Sequence, residues 1–196
     1  INIASRGNLI GGTNVWQRNL IGGCTSSGIH FSSGSASNNV VVGNYIGTDG
    51  TGTKALANGQ SGVLVDDASR NTIGGLDPAS RNVIAFNGGD GVFVRGSAAL
   101  HNSILGNAIF ANVGLGIDLA PDGPTANDPA DEDLGPNTLQ NFPVLTSAVA
   151  GTNTVVSGLL SGPTNGPYLI QFFASINPDP SGFGEGEWLA GSFSMP

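Results

Sequence analysis

Asn71-Thr-Ile-Gly-Gly75, followed by Arg81-Asn-Val-Ile84 and Gly91-Val-Phe-Val94, decides the fold, because the chain has already spelled much of it once. Asn8-Leu-Ile-Gly-Gly12, Arg18-Asn19, Ile21 and Gly28 stand at the same places one 63-residue offset earlier. The same offset links Asn39 to Asn102, Gly43-Asn44 to Gly106-Asn107, and Ile46 to Ile109. One offset held without a gap from Asn8 to Ile46 is an internal duplication. Self-similarity at a fixed period is the mark of a solenoid or a repeat array.

A finer period runs inside the duplicated unit. Gly followed by an apolar alternation recurs at Gly28-Ile-His-Phe31, Gly62-Val-Leu-Val65, Gly91-Val-Phe-Val94 and Gly116-Ile-Asp-Leu119, with a spacing that shortens at each step. Between successive members lie two Asn-x-(Ile/Val) units. One series is Asn8, Asn39, Asn71 and Asn102; the other is Asn19, Asn44, Asn82 and Asn107. Each period therefore holds three short strands of alternating pattern, separated by Gly/Ser/Asn turns. This spacing predicts a parallel β-helix over residues 1–120. A doubly wound sheet needs crossover helices, and no segment carries a helical stripe. A propeller blade needs about 40 residues and four strands.

Strand side chains alternate, so Asn and Ile of each Asn-x-Ile point to one side. Ile10, Val41, Ile73 and Ile104 are expected to stack inside, as are Ile21, Ile46, Ile84 and Ile109. The asparagines then face inward at the bends, where a buried amide must be hydrogen-bonded. Two structural ladders follow, Asn8/Asn39/Asn71/Asn102 and Asn19/Asn44/Asn82/Asn107. The outward positions Leu20, Tyr45, Val83 and Ala108 form an apolar stripe expected to be covered, by C-terminal strands or by a second copy. The segment Gly47–Ala57 reads as a loop inserted on one side of the solenoid.

Composition agrees with this pattern. The 196 residues include 32 Gly and 20 Asn, and only 10% are charged. Gly and Asn are poor in helix interiors, while 39% hydrophobic residues argue against disorder. Net charge is −8 and uneven. All six basic residues precede residue 96, and nine acids follow it. Without a basic patch, no nucleic-acid partner is expected. No apolar run is long enough for a transmembrane helix. A single cysteine, Cys24, excludes an intrachain disulfide. The opening in mid-repeat suggests a fragment or a processed product.

Asn71-Thr-Ile-Gly-Gly75, Arg81-Asn-Val-Ile84, Gly91-Val-Phe-Val94 and Gly43-Asn-Tyr-Ile-Gly-Thr-Asp-Gly-Thr-Gly52 resemble the right-handed parallel β-helix repeats of large bacterial surface proteins, often of the CSLREA type. Gly135-Pro-Asn-Thr-Leu-Gln-Asn-Phe-Pro-Val-Leu145 is similar to the segment after their last coil. The resemblance covers nearly the whole chain. It implies an all-β, right-handed parallel β-helix of three-stranded coils with a small C-terminal β-module, and extracellular or cell-surface display on a bacterium. It implies no activity. Broader β-helix relatives include polygalacturonases and pectate lyases. Asp66-Asp67 matches the Asp-Asp pair of the former, but their Gly-His-Gly and Arg-Ile-Lys signatures are missing here. Coil alignment places Ser32, Asp66 and Arg95 in one stack, so Asp66, Asp67 and Arg95 form a possible ligand face. The alternative for Asp66 and Arg95 is a plain cross-coil ion pair, contributing less than about 1 kcal/mol.

Residues 121–141 read as an acidic Pro/Gly-rich linker. Six acids fall within 118–133 with no Lys or Arg among them. Carboxylates so crowded repel one another unless neutralised, and flexible loops of oxygen ligands suit Ca²⁺. Asp118, Asp128, Asp131 and Asp133 are the candidate ligands; a solvated linker is the alternative. Residues 142–196 predict three strands, Thr152–Leu160, Tyr168–Ala174 and Glu187–Phe193. By resemblance they begin an immunoglobulin-like module. Its apolar residues Leu169, Phe172, Phe173, Trp188 and Leu189 are expected to be covered.

The leading functional expectation is a non-catalytic extracellular structural, adhesive or glycan-binding segment, with a polysaccharide as partner. The alternatives are a polysaccharide lyase or glycoside hydrolase acting on an acidic polysaccharide, and a filament or surface-layer subunit that self-associates through its solenoid ends.

Overall fold

The computed structural model describes residues 1–163, 166–177 and 179–195. The first coil contributes β1 (Asn2–Ile3), β2 (Leu9–Gly11) and β3 (Leu20–Ile21). The second holds β4 (Ile29–Phe31), β5 (Val40–Val42) and β6 (Tyr45–Ile46), and the third β7 (Val63–Asp66), β8 (Thr72–Gly74) and β9 (Val83–Ala85). The fourth holds β10 (Val92–Arg95), β11 (Ser103–Leu105) and β12 (Ala108–Phe110), and β13 (Ile117–Leu119) follows. These strands form three parallel sheets in the orders β1-β4-β7-β10-β13, β2-β5-β8-β11 and β3-β6-β9-β12. The result is a parallel β-solenoid of about four turns, as the repeat predicts. Among the described residues no helix is long and apolar enough to cross a membrane.

The register puts like residues in line. Ile10 pairs with Val41, Val41 with Ile73, and Ile73 with Ile104; Ile21, Ile46, Ile84 and Ile109 do the same in the third sheet. With Ile29, Phe31, Val63, Val65, Val92 and Val94 they make one continuous core. Only Ile104 of the two stacks is partly exposed.

The asparagine ladders run through the bends. Asn39 donates its backbone N–H (3.0 Å) and its Nδ2 (2.9 Å) to Asn71 Oδ1. Asn71 repeats this towards Asn102, Asn44 towards Asn82, and Asn82 towards Asn107. A second amide hydrogen reaches a backbone carbonyl of the preceding coil, as Asn82 Nδ2 does to Val41 O at 2.8 Å. The rungs Asn39, Asn44, Asn71 and Asn82 are fully buried. Asn8 and Asn19, placed inside by the pattern, are exposed in the first coil, although each still bonds the next rung. Gly74 sits at φ +81°, where a Cβ would strike the Leu105 carbonyl and the Asn107 amide of the next coil. Gly11, its duplicate, sits at φ +89° against Val42 and Asn44. The Gly-Gly motif thus lets the backbone pass close under a ladder rung.

A third ladder runs parallel to these two. Asn58 Nδ2 donates to Asn87 Oδ1 at 2.8 Å, and Asn87 donates its backbone N–H and Nδ2 to Asn112 Oδ1 at 3.0 and 2.8 Å. Its first rung is Cys24, whose backbone N–H meets Asn58 Oδ1 at 3.3 Å. Cys24 and Asn87 are equivalent under the duplication, which hides this ladder by placing cysteine in the asparagine slot.

The insertion Gly47–Ala57 closes on itself through an antiparallel bridge between Thr48 and Ala55. Gly52 lies against the Tyr45 ring, and the Arg18 guanidinium stands 4.1 Å from that ring's centre. Ala108 of the outward stripe is buried, whereas Leu20 remains exposed.

Among its described residues the C-terminal module has four strands rather than three. β14 (Val144–Val149) pairs antiparallel with β15 (Val155–Leu159), and β16 (Tyr168–Ala174) with β17 (Trp188–Met195). The additional strand, β14, escapes a pattern reading because Thr146-Ser-Ala148 breaks its apolar alternation. Phe173, Trp188 and Leu189 stay exposed, against the expectation that they are covered. The β16–β17 connection reaches back to the solenoid. Glu185 Oε1 accepts the Asn112 backbone N–H (3.1 Å) and Nδ2 (2.8 Å), and Ile109 N–H donates to Gly186 O at 2.8 Å. Asn137 Oδ1 likewise accepts from Asn102 at 2.9 Å. Two ladders therefore end on oxygens supplied by later segments.

Asn82 bonds three other residues from full burial. Asn82→Ala is expected to lower stability by about 1–3 kcal/mol, since partners are left unsatisfied. An unchanged midpoint in urea unfolding contradicts the ladder's role.

Candidate functional site

Three groups of polar side chains stand outside the ladders. The first lies on the outer face of the sheet β1-β4-β7-β10-β13. Asp66 ends β7 directly opposite Arg95 on β10. Arg95 Nη2 donates to Asp66 Oδ2 at 2.7 Å, and His30 Nε2 lies 3.6 Å from the same oxygen. The Arg95 guanidinium holds the Asp66 carboxyl below the usual range, by hydrogen bonding first and by charge as well, against the opposing effect of burial. Both side chains are partly exposed, at 27% and 48%, so the pair stabilises the fold by less than about 1 kcal/mol. Asp67 departs from this face. It adopts φ 49°, and its Oδ1 accepts the Ala98 N–H at 3.2 Å. The Asp-Asp pair is split between a surface ion pair and a turn. The coil alignment does not bring His30 level with Asp66. It pairs with Leu64, two positions back, and reaches Asp66 on the diagonal.

The second group is Asp128, Asp131 and Asp133, whose carboxylates each offer an oxygen within 4.8 Å of the others. The surrounding linker is folded rather than extended. Asn141, which is buried, donates to the carbonyls of Asp128 (2.8 Å) and Ser161 (3.0 Å) and accepts the Asp128 N–H. Asn127 and Phe142 exchange two bonds at 2.8 and 2.9 Å. Asp131 Oδ1 accepts the Asn141 N–H at 2.7 Å, and Asp128 Oδ2 the Glu132 N–H at 3.0 Å. Asp128 Oδ1 and Asp133 Oδ1 are shielded from solvent and accept no hydrogen bond among the described residues. Desolvation, then the charges of Asp128 and Asp131, push the Asp133 carboxyl upward.

Asp118 stands apart from these three. It sits on β13 opposite Phe93 and joins Asp90 and Asp122 instead. The reason is topological. Strand pairing fixes Asp118 in the solenoid wall, and Asp90 is the residue before Gly91, whose repeat motif opens β10. Closeness in sequence groups Asp118 with the linker acids, whereas the step from Gly91 to Gly116 places position 118 beside position 93.

Asp118 gives a pH signature. Burial raises its carboxyl to about 6, from 3.8, opposed by the Gly123 N–H and reinforced by Asp90 and Asp122. The folded chain thus holds this proton more tightly than the unfolded chain. The associated stability is fully present below pH 3.8 and lost as pH rises through about 6. Urea unfolding in chelator is expected to show this fall between pH 4 and 6, and Asp118→Asn to remove it; a slope unchanged by the substitution contradicts the assignment.

The chain matches no known family model, no curated protein and no solved structure.

Proposed function

We propose that this chain is a non-catalytic structural segment of an extracellular bacterial surface protein, built as a rigid solenoid whose outer faces serve adhesion or glycan contact. The observation that carries this reading is where the polar side chains go. The asparagines join coil to coil, and Asp66 is paired with Arg95 instead of facing a second free carboxylate. Hydrolysis of a glycosidic bond needs two carboxylates flanking it, and lyase chemistry by the resemblance needs calcium beside a free Arg. The kinship with CSLREA-type repeats, and with an immunoglobulin-like module after them, belongs to this proposal. It rests on the quoted motifs and on the solenoid itself. The face bearing Asp66 and Arg95, with Phe93 beside them, is the one offered to a polysaccharide; Asp67 supports the turn at its edge.

Assays on pectin, alginate and related acidic polymers are expected to release neither reducing ends nor unsaturated uronides. Release that Asp66→Ala abolishes would establish an enzyme instead. A glycan array is the positive arm, and binding weakened by Arg95→Ala supports the glycan face.

A second reading concerns the linker, favoured by the two shielded, unpartnered oxygens of Asp128 and Asp133. Ca²⁺ bound by Asp128, Asp131 and Asp133 would fasten the segment between solenoid and hairpins. Calcium is expected to raise the melting temperature and Asp131→Ala to blunt the rise. Equal melting with and without millimolar calcium would leave the acids as a solvated loop.

A further inference from the structure

The duplication builds one bend of the solenoid twice. In the first unit Asn14 caps a 3₁₀ turn over Val15–Gln17 that ends on Arg18; in the second Asp77 caps Pro78–Ser80, which ends on Arg81. The bonds are the same. Asn14 Oδ1 accepts the Trp16 N–H at 3.0 Å, and Asp77 Oδ1 accepts the Ala79 N–H at 2.9 Å. Gln17 N–H returns to Asn14 O at 2.9 Å, and Ser80 N–H to Asp77 O at 2.8 Å. The turn therefore folds with alanine in the place of Trp16. Its exposure does not depend on which coil bears it. Ala79 is exposed with a coil on either side, and Trp16 is 90% exposed.

The two arginines differ as well. Arg81 Nη2 donates to the Glu187 carbonyl at 2.6 Å, so the hairpin engages it. Arg18 is exposed and forms no salt bridge among the described residues. It is nonetheless fixed. Its Nε donates to Gly43 O at 3.1 Å, and its guanidinium lies 4.1 Å from the centre of the Tyr45 ring. Asn14 and Gln17 are exposed, and the side-chain oxygen of each accepts a backbone N–H of the turn. What each has left to offer is its NH₂ group.

We propose that the bend bearing Trp16 and Arg18 binds a polysaccharide containing uronic acid. This site rests on the reading of the solenoid as a glycan-contacting surface, and lies apart from the Asp66–Arg95 face. The indole face is flat, apolar and electron-rich, and suits the C–H face of a pyranose ring. The guanidinium is planar and always charged, and its paired N–H donors match a carboxylate. The Asn14 and Gln17 amides supply donors for hydroxyls. Arg95 is already held by the Asp66 carboxylate, whereas Arg18 keeps its charge for a ligand. Trp and Arg are residues that dominate binding surfaces, and the turn itself does not require the tryptophan.

The test titrates the full chain by calorimetry with hexagalacturonate and hexamannuronate. Cellohexaose is the uncharged sugar, and poly-glutamate the acid without a sugar ring. An acidic hexamer is expected to bind about tenfold or more tighter than either control, because the carboxylate–guanidinium bonds are charge-assisted. Trp16→Ala gives the first turn the residue of the second, so the melting temperature is expected to stay unchanged. Binding is expected to weaken by about tenfold or more, as loss of an aromatic anchor does. Trp16→Phe keeps a ring and is expected to retain most of the affinity. Arg18→Lys keeps the charge but loses the fork, and is expected to weaken binding. Binding lost with Arg95→Ala and kept with Trp16→Ala returns the glycan to the Asp66–Arg95 face; that overturns this site and leaves the glycan reading standing. Cellohexaose or poly-glutamate binding as tightly as the acidic hexamers overturns the acidic-sugar assignment. A dimer that Trp16→Ala dissolves gives the indole a second copy as its partner, and overturns it too. No binding of either acidic hexamer at millimolar concentration, while a glycan array detects other sugars, overturns this site alone; a silent array removes both.

Discussion

A carboxamide stacked at strand spacing is the constraint on which this molecule depends. Parallel strands repeat at about 4.8 Å, and an Asn side chain at a bend closes that gap while its own backbone N–H reaches the same oxygen. Each rung therefore accepts from one coil and donates to its neighbour, and the bends, which cannot form sheet bonds, are nonetheless paired. The other features follow. Glycine is forced where a strand passes beneath a rung, as at Gly74. The apolar residue two places after each Asn is turned inward. The coil lengthens at a turn, as at Gly47–Ala57, without disturbing the rungs on either side.

That constraint also explains which parts of the structure are legible in the chain. Residues locked to the coil period are legible: Asn39, Asn44, Asn71, Asn82, Asn102 and Asn107 with their apolar partners all stand where the duplication puts them. The ladder Asn58/Asn87/Asn112 escapes because Cys24 breaks the match in the first unit. The equal spacing of Asn82–Asn107 and Asn87–Asn112 is the available signal. The acidic clusters are only half legible, because their members come together across coils. Asp118 faces Asp90 over a distance in sequence that the strand register defines and composition does not. The Asp66–Arg95 pair is legible for the same reason that Asp90 is not: its two residues share a strand position, while Asp90 lies in the turn.

The C-terminal hairpins form the least self-sufficient part. A two-stranded sheet is marginal alone in water, and among the described residues β14–β15 and β16–β17 do not pair with each other. Leu159 and Phe193 are exposed. What holds the second hairpin is its connection, through Glu185, Gly186 and the Glu187 carbonyl, which accepts from Arg81 at 2.6 Å. Gln171 of β16 adds one contact from a strand, its Oε1 accepting the Gly106 N–H at 3.0 Å.

The ladders also have an electrical sense. Asn8, Asn39 and Asn71, Asn19, Asn44 and Asn82, and Asn58 and Asn87 each donate to an amide oxygen of the later coil, so these amide dipoles align in three columns, as peptide dipoles do along an α-helix. Their positive ends emerge together at Asn102, Asn107 and Asn112, where acceptor oxygens are favoured. The oxygens found are Asn137 Oδ1, Gln171 Oε1 on the adjoining Gly106 N–H, and the carboxylate of Glu185. That half of the chain thus supplies the acceptor oxygens that close the positive pole of a stack of aligned amides.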